Sequence, residues 1–233
     1  MTFTFPTAVV TKDLTLTKNA IELLHVLSGV DCLLLEKVKL RPANANWLRA
    51  PWYSSYKGGG AMTIGHTIYF TRNWFSEDRY QQRNGRNVSY GRNDTESIFM
   101  WLKLLSHEVG HLPQAHNSGY HFLGKINYLF QFTKGYAVRL LTFQKNIHDG
   151  FSLEITAEIG QYVFDCLFTE KLSNDGYLMN TLGRDLCFSL IQNDELSFQE
   201  ILSRISVSAN SLQKSYRDKN WKHVERENRI FKK

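Results

Sequence analysis

Between Ile98 and Leu112 the apolar residues Ile98, Trp101, Leu102, Leu105, Val109 and Leu112 recur at three- and four-residue steps, a pattern that buries one face of a helix and no face of a strand. On that helix lies the run His107-Glu108-Val109-Gly110-His111. Its four-residue interval puts both imidazoles on one side, about one turn apart, where one metal ion can bind both. Glu108 stands beside the pair, in reach of the proton of a water at such an ion. Asn93, Asp94 and Thr95 offer N-cap oxygens, and Glu96 falls in the first turn. Pro113 is expected to stop the helix just after the second histidine.

A catalytic Zn2+ needs a third protein ligand and leaves a fourth position to water. The segment Asp149 to Asp165 is expected to form one helix on which Glu154, Glu158, Gln161 and Asp165 make a narrow polar stripe among apolar residues. Glu154 is the expected metal ligand. Glu158, one turn on, is placed to accept a hydrogen bond from a ligand histidine and fix its tautomer. His116 competes as third ligand, since His107, His111 and His116 read H-E-x-x-H-x-x-x-x-H. The metzincin pattern, however, carries a glycine where Gln114 stands and its last histidine where Asn117 stands, and Pro113 cannot supply the positive φ of that glycine.

The run His107 to Gln114, H-E-V-G-H-L-P-Q, resembles the H-E-x-x-H-x-x-Q motif of minimal zincin-like metallopeptidase domains from bacterial polymorphic toxins and contractile-injection-system cargo. Upstream, Ala61 to Phe70 resembles the short strand pair that precedes the motif helix in those domains. Glu154-Ile155-Thr156-Ala157-Glu158 is similar to the E-x-x-A-D/E element with which gluzincins supply a glutamate ligand, with glutamate at Glu158 where aspartate is usual. The resemblance spans about residues 58 to 170. It implies an α+β, zincin-like fold: a small mixed or antiparallel sheet with an edge strand beside the H-E-x-x-H helix, and a mainly helical C-terminal half. It also implies Zn2+, a peptide or polypeptide substrate, and an immunity or delivery partner.

The strand pair has its own physical signature. Met62, Ile64, Thr67, Ile68 and Phe70 are β-prone, with Gly65 and His66 marking a turn or bulge. An edge strand beside the motif can bind extended polypeptide by backbone hydrogen bonds; a plain structural hairpin would leave the same pattern.

With 233 residues, 42% hydrophobic and 13% aromatic, the chain can bury one good core. One domain over residues 1–211 is expected, followed by a basic tail over 212–233. Cys32, Cys166 and Cys187 have no C-x-x-C pairing and read as reduced core residues. Met1 to Val10 lacks the pattern of a cleaved secretion signal, and no stretch reaches the roughly 18 apolar residues of a membrane span. The expectation is a cytoplasmic protein, or one exported without a cleaved signal by an injection machine.

The net charge of +6 resides mostly in the tail, where eight Lys/Arg from Leu212 onward face Asp218, Glu225 and Glu227. This reads as a solvated terminal helix with pairs such as Glu225 with Arg229 rather than a nucleic-acid surface. Elsewhere Thr17 to Val30 reads as an amphipathic helix, Leu33 to Leu40 as a strand and Arg41 to Gly60 as loop. Ser76 to Ser97, with Arg79, Arg83, Arg86 and Arg92, reads as a loop or lid entering the motif helix. Lys125 to Ile147 and Ser197 to Ala209 read as helical.

Together these features predict a zinc metallopeptidase in which Glu108 serves as general base, with Tyr120, His121, His148 or Tyr162 as oxyanion helper. The alternatives are a non-turnover or autoprocessing zinc module of a toxin delivery system and a hydrolase of peptidoglycan stem peptides. A purely structural zinc would have no use for Glu108, and the cysteine ligand element of a peptide deformylase is not visible.

Overall fold

The motif helix organises the molecule, and its boundaries are set by local chemistry. In the computed structural model, which describes residues 3–42, 60–77, 80–81, 87–119, 123–124, 126–131, 152–171 and 177–231, Asp94 caps this helix by accepting the Ser97 amide at 2.8 Å. Ile98, Trp101, Leu102, Leu105, Val109 and Leu112 are all fully buried, as their spacing predicts. The architecture is α+β, mostly helical, with a small mixed sheet.

In chain order the helices are α1 (Lys18–Ser28), α2 (Cys32–Leu35), α3 (Thr95–Glu108), α4 (Leu112–Ser118), α5 (Ser152–Ala157), α6 (Ile159–Phe168), α7 (Thr181–Gln192), α8 (Glu195–Lys219) and α9 (Trp221–Phe231). Strands β1 (Lys39–Pro42), β2 (Ala61–Ile64) and β3 (Thr67–Phe70) form a sheet in the order β1-β3-β2. β1 runs parallel to β3 and β2 antiparallel to it. Gly65, at φ 63°, takes the first position of the two-residue β2–β3 turn, the arrangement of a type II′ hairpin. Leu40, Ile68 and Thr63 are register partners, so all three share one face; Leu40 and Ile68 enter the core there. Among the described residues two short hairpins follow, β4 (Tyr80–Gln81) with β5 (Asn87–Val88), and β6 (Thr169–Lys171) with β7 (Tyr177–Met179).

α3 lies between the sheet and the helices. On one side Phe70 stacks on Trp101 with ring centroids 4.6 Å apart; on the other, α1, α6 and α7 pack against it. α8 closes the helical layer over α1, α6 and α7, and Gln213 donates its amide to the free carbonyls of Val26 and Leu27 near the end of α1. Among the described residues no helix is long and apolar enough to cross a membrane.

Several expectations are corrected. Pro113 does not end the helical path: after a 3-10 turn over Val109–His111 it occupies the first turn of α4, where its missing N–H has no partner to lose. Leu33 to Leu40 is not one strand, because Asp31 caps the Leu33 amide and starts α2, leaving only Lys39 onward to β1. The helix expected over Asp149 to Asp165 breaks at Glu158 into α5 and α6. Cys187 alone is in the core, where burial pushes its thiol up to about 12; Cys166 is exposed and Cys32 half-buried. Ser197 to Ala209 falls in the N-terminal part of the longer α8, which also takes in the start of the basic tail. α1, with its Thr17 cap and left-handed Gly29, matches its expectation. Of the expected loops and helices, residues 43–59, 78–79, 82–86, 125 and 132–151 lie outside the described residues, while 126–131 are helical as expected.

Candidate metal centre

α3 ends by presenting His107, and the 3-10 turn that follows presents His111, with ring centroids 5.1 Å apart. α5 supplies Glu154. Its Oε2 lies 3.4 Å from His107 Nε2 and 3.6 Å from His111 Nε2, and the three ligand atoms lie within 4.8 Å of one another. Two donors each about 2.1 Å from a tetrahedral ion are roughly 3.4 Å apart, so both histidine–glutamate pairs stand near the spacing of shared ligands and the cluster could hold a metal ion.

Two glycines bring α5 and α6 this close. A Cβ on Gly110 would stand 2.3 Å from the Ala157 carbonyl oxygen, and one on Gly160 would stand 2.1 Å from the Ser106 carbonyl oxygen. Backbone therefore lies directly on backbone at the two points where the histidine segment meets the glutamate segment. The Lys103–Asp165 ion pair, at 2.6 Å, braces the same contact between α3 and α6.

The three side chains are nearly closed off from water, with 16%, 8% and 6% exposure for His107, Glu154 and His111. Burial disfavours charge on Glu154, yet the hydrogen bonds and charges of the two histidines outweigh it and hold the carboxyl well below the usual carboxylate range. Burial likewise lowers His111, but Glu154, assisted by Glu108 and Gln114, lifts it to about 9. In the metal-free protein a proton on His111 thus stands where a cation would neutralise Glu154.

Gln114 fixes the ring of His111. Its Nε2 donates to the Leu153 carbonyl at 2.8 Å and to Thr156 Oγ1 at 2.9 Å, which leaves Oε1 to accept from His111 Nδ1 at 3.0 Å. With Nδ1–H committed to Gln114, Nε2 is the ring atom turned to Glu154, protonated in the metal-free protein and free to bind a cation once that proton leaves. His107 Nδ1, by contrast, is buried with no hydrogen-bond partner among the described residues.

Glu108 is also buried, and its carboxylate turns to the edge strand: Thr63 Oγ1 lies 2.8 Å from Glu108 Oε2 and 3.0 Å from the Glu108 carbonyl. A hydroxyl on the core-facing side of β2 is explained by this bond.

Glu158 does not reach a histidine. It accepts the Tyr216 hydroxyl at 3.2 Å and lines, with Tyr162, Tyr216 and Lys219, a separate cleft of about 360 Å³ that includes none of the three ligand residues. Tyr162 stacks on Tyr216, with centroids 4.8 Å apart. The polar stripe divides because the break at Glu158 re-aims it: Glu154 faces the histidines, Glu158 faces α8 and Asp165 faces Lys103. His116 is exposed on α4 and is not one of the three clustered ligands, since the chain continues as helix instead of turning back. Tyr120, His121 and His148 lie outside the described residues.

Sequence reasoning gave Thr63, Thr156 and Gln114 no role. Gln114 had a signal in the motif, and Thr63 had one as a polar residue at an inward strand position. No protein-family model matches this chain, and searches of curated proteins and of solved structures return no match.

Proposed function

We propose that this chain is a zincin-like zinc metallopeptidase that hydrolyses peptide bonds in an extended polypeptide. One observation carries the reading: a buried two-histidine, one-carboxylate cluster lies next to a second carboxylate, Glu108, that is held outside the cluster by its own hydrogen bond to Thr63. A structural site would gain nothing from such a base. A divalent ion at His107, His111 and Glu154 would supply an acidified water and a polarised carbonyl. Glu108 would take the proton of the attacking water and return it to the leaving amine. β2 pairs only with β3 among the described residues and carries Thr63, which meets Glu108; an extended substrate would add at the other edge of β2.

The test is to incubate zinc-loaded protein with an unfolded protein, with a peptidoglycan stem peptide and with its own chain, and to read product masses. Cleavage of the first is expected, and Glu108→Gln should keep its zinc while hydrolysis falls by orders of magnitude. Cleavage of the stem peptide alone would instead make it a cell-wall hydrolase, and cleavage confined to its own chain an autoprocessing module. Undiminished turnover in Glu108→Gln would refute the mechanism.

A further inference from the structure

Helix α9 turns a polar stripe inward. Asn220, His223, Val224 and Glu227, at steps of three and four, are the half-buried positions of this segment, while Lys222, Glu225, Arg226, Asn228 and Arg229 are exposed. Val224 is the one apolar residue of these four. α9 packs on α5 and α4, the elements that carry Glu154 and Gln114. The Glu225–Arg229 pair, at 2.9 Å, satisfies the outer face but makes no contact that would explain this docking.

The inward carboxylate links this helix to the site. Glu227 Oε2 lies 3.4 Å from Gln114 Nε2, across 113 residues of sequence. Burial pushes the Glu227 carboxyl up, and hydrogen bonds from Thr156 and Gln114, with the charge of His111, act against that rise. A carboxylate is brought to a poorly solvated place only where donors meet it. Both Gln114 amide hydrogens already meet Leu153 and Thr156 at shorter range, so Glu227 faces that amide at 3.4 Å chiefly as a neighbouring charge.

We propose that Glu227 is a positioning residue of the metal centre, acting through Gln114 on His111, so that the C-terminal helix completes the site. This rests on the triad being a metal centre. The chain of effects is short. A negative charge at the Gln114 amide nitrogen draws electron density onto Oε1, which then accepts more strongly from His111 Nδ1–H. The Nε2 lone pair becomes the better donor to a cation. The same amide holds Leu153, the neighbour of Glu154, so one side chain connects both ligand segments to α9.

The experiment uses the full chain and measures Zn2+ affinity by competition with a chromophoric chelator in wild type, Glu227→Gln, Glu227→Ala and Arg226→Gln. Partners one step from a ligand typically change affinity about 10- to 100-fold, and Glu227 acts one bond further out, so Glu227→Gln should bind about 3- to 10-fold more weakly. Glu227→Ala should lose more, and Arg226→Gln, an exposed charge on the same helix, should match wild type. In the zinc-loaded, ¹⁵N-labelled protein the His111 Nδ1–H resonance should move upfield in both Glu227 variants. Equal affinities in zinc-binding wild type and both variants would overturn the inference and leave the metal centre standing. Weakened binding with an unmoved His111 resonance and a matching loss of metal-free thermal stability would also overturn it, reducing Glu227 to a structural contact. Failure of wild type to bind Zn2+ would overturn the centre and the inference together.

Discussion

Replacing Gly110 with alanine adds one methyl group at the tightest contact beside the ligands. Its carbon would stand 2.3 Å from the Ala157 carbonyl oxygen, 2.6 Å from Ala157 Cα and 2.8 Å from the Ala157 carbonyl carbon. All three are backbone atoms, so no side chain can swing aside. An ordinary non-bonded separation is about 3.5 Å, and α5 must therefore retreat by about 1 Å. Overpacking of this kind costs about 1–3 kcal/mol, which for a chain of this size lowers the melting temperature by roughly 2–12 °C. Glu154 travels with α5. Metal-ligand distances tolerate shifts of only about 0.2 Å, and the loss of a single outer partner already costs about 10- to 100-fold, so Zn2+ affinity should fall at least about 100-fold. The measurement pairs thermal unfolding in excess chelator with zinc competition on the folded protein. Gly60→Ala is the control, because a Cβ there meets nothing within 4 Å. A folded Gly110→Ala protein with wild-type zinc affinity would show that the close approach of α5 to the histidine turn does not set the site.

The ligand set makes a ranked prediction: Glu154→Gln should weaken zinc binding severely, whereas Glu158→Gln and His116→Ala should leave it nearly intact, since neither side chain belongs to the cluster; chelator competition on all three would expose the reverse order. A second prediction concerns pH in the chelated, metal-free protein. The His111–Glu154 pair stabilises the fold fully below 6.5, the ordinary histidine value, and this contribution is lost as pH rises towards about 9. On the acid side it is present above 4.5, the ordinary carboxylate value, and is lost as Glu154 takes up a proton far below that. Melting temperature without zinc should therefore decline between pH 6.5 and 9, and zinc should abolish that decline by replacing the proton. A flat profile in chelator would contradict the assigned ion pair.

Local rules carried the reading of α1 and of the buried face of α3, because cap residues and periodicity act within a few residues of chain. Thr17, Asp94 and Gly29 do what their side chains and φ preferences dictate wherever they stand. The same rules failed at Pro113 and at Cys32 to Leu35 for a physical reason. A proline in an apolar helical run either stops a helix or opens one, and a four-residue apolar run suits either a strand or a buried turn of helix. At Leu33 an aspartate cap decided between them.

The H-E-x-x-H run determined by itself that His107 and His111 face one way, since four residues of helical chain leave no other choice. It also placed Glu108 beside them. The sequence also favoured Glu154 as the carboxylate that joins them, but tertiary structure decided where Glu158 goes: the break there, with backbone contacts at Gly110 and Gly160, leaves Glu154 on the histidines and turns Glu158 to Tyr216. The partners that orient the site lie still further off in sequence. Thr63 meets Glu108 across 45 residues and Glu227 meets Gln114 across 113, and such pairings leave no periodic trace because they depend on where whole elements pack.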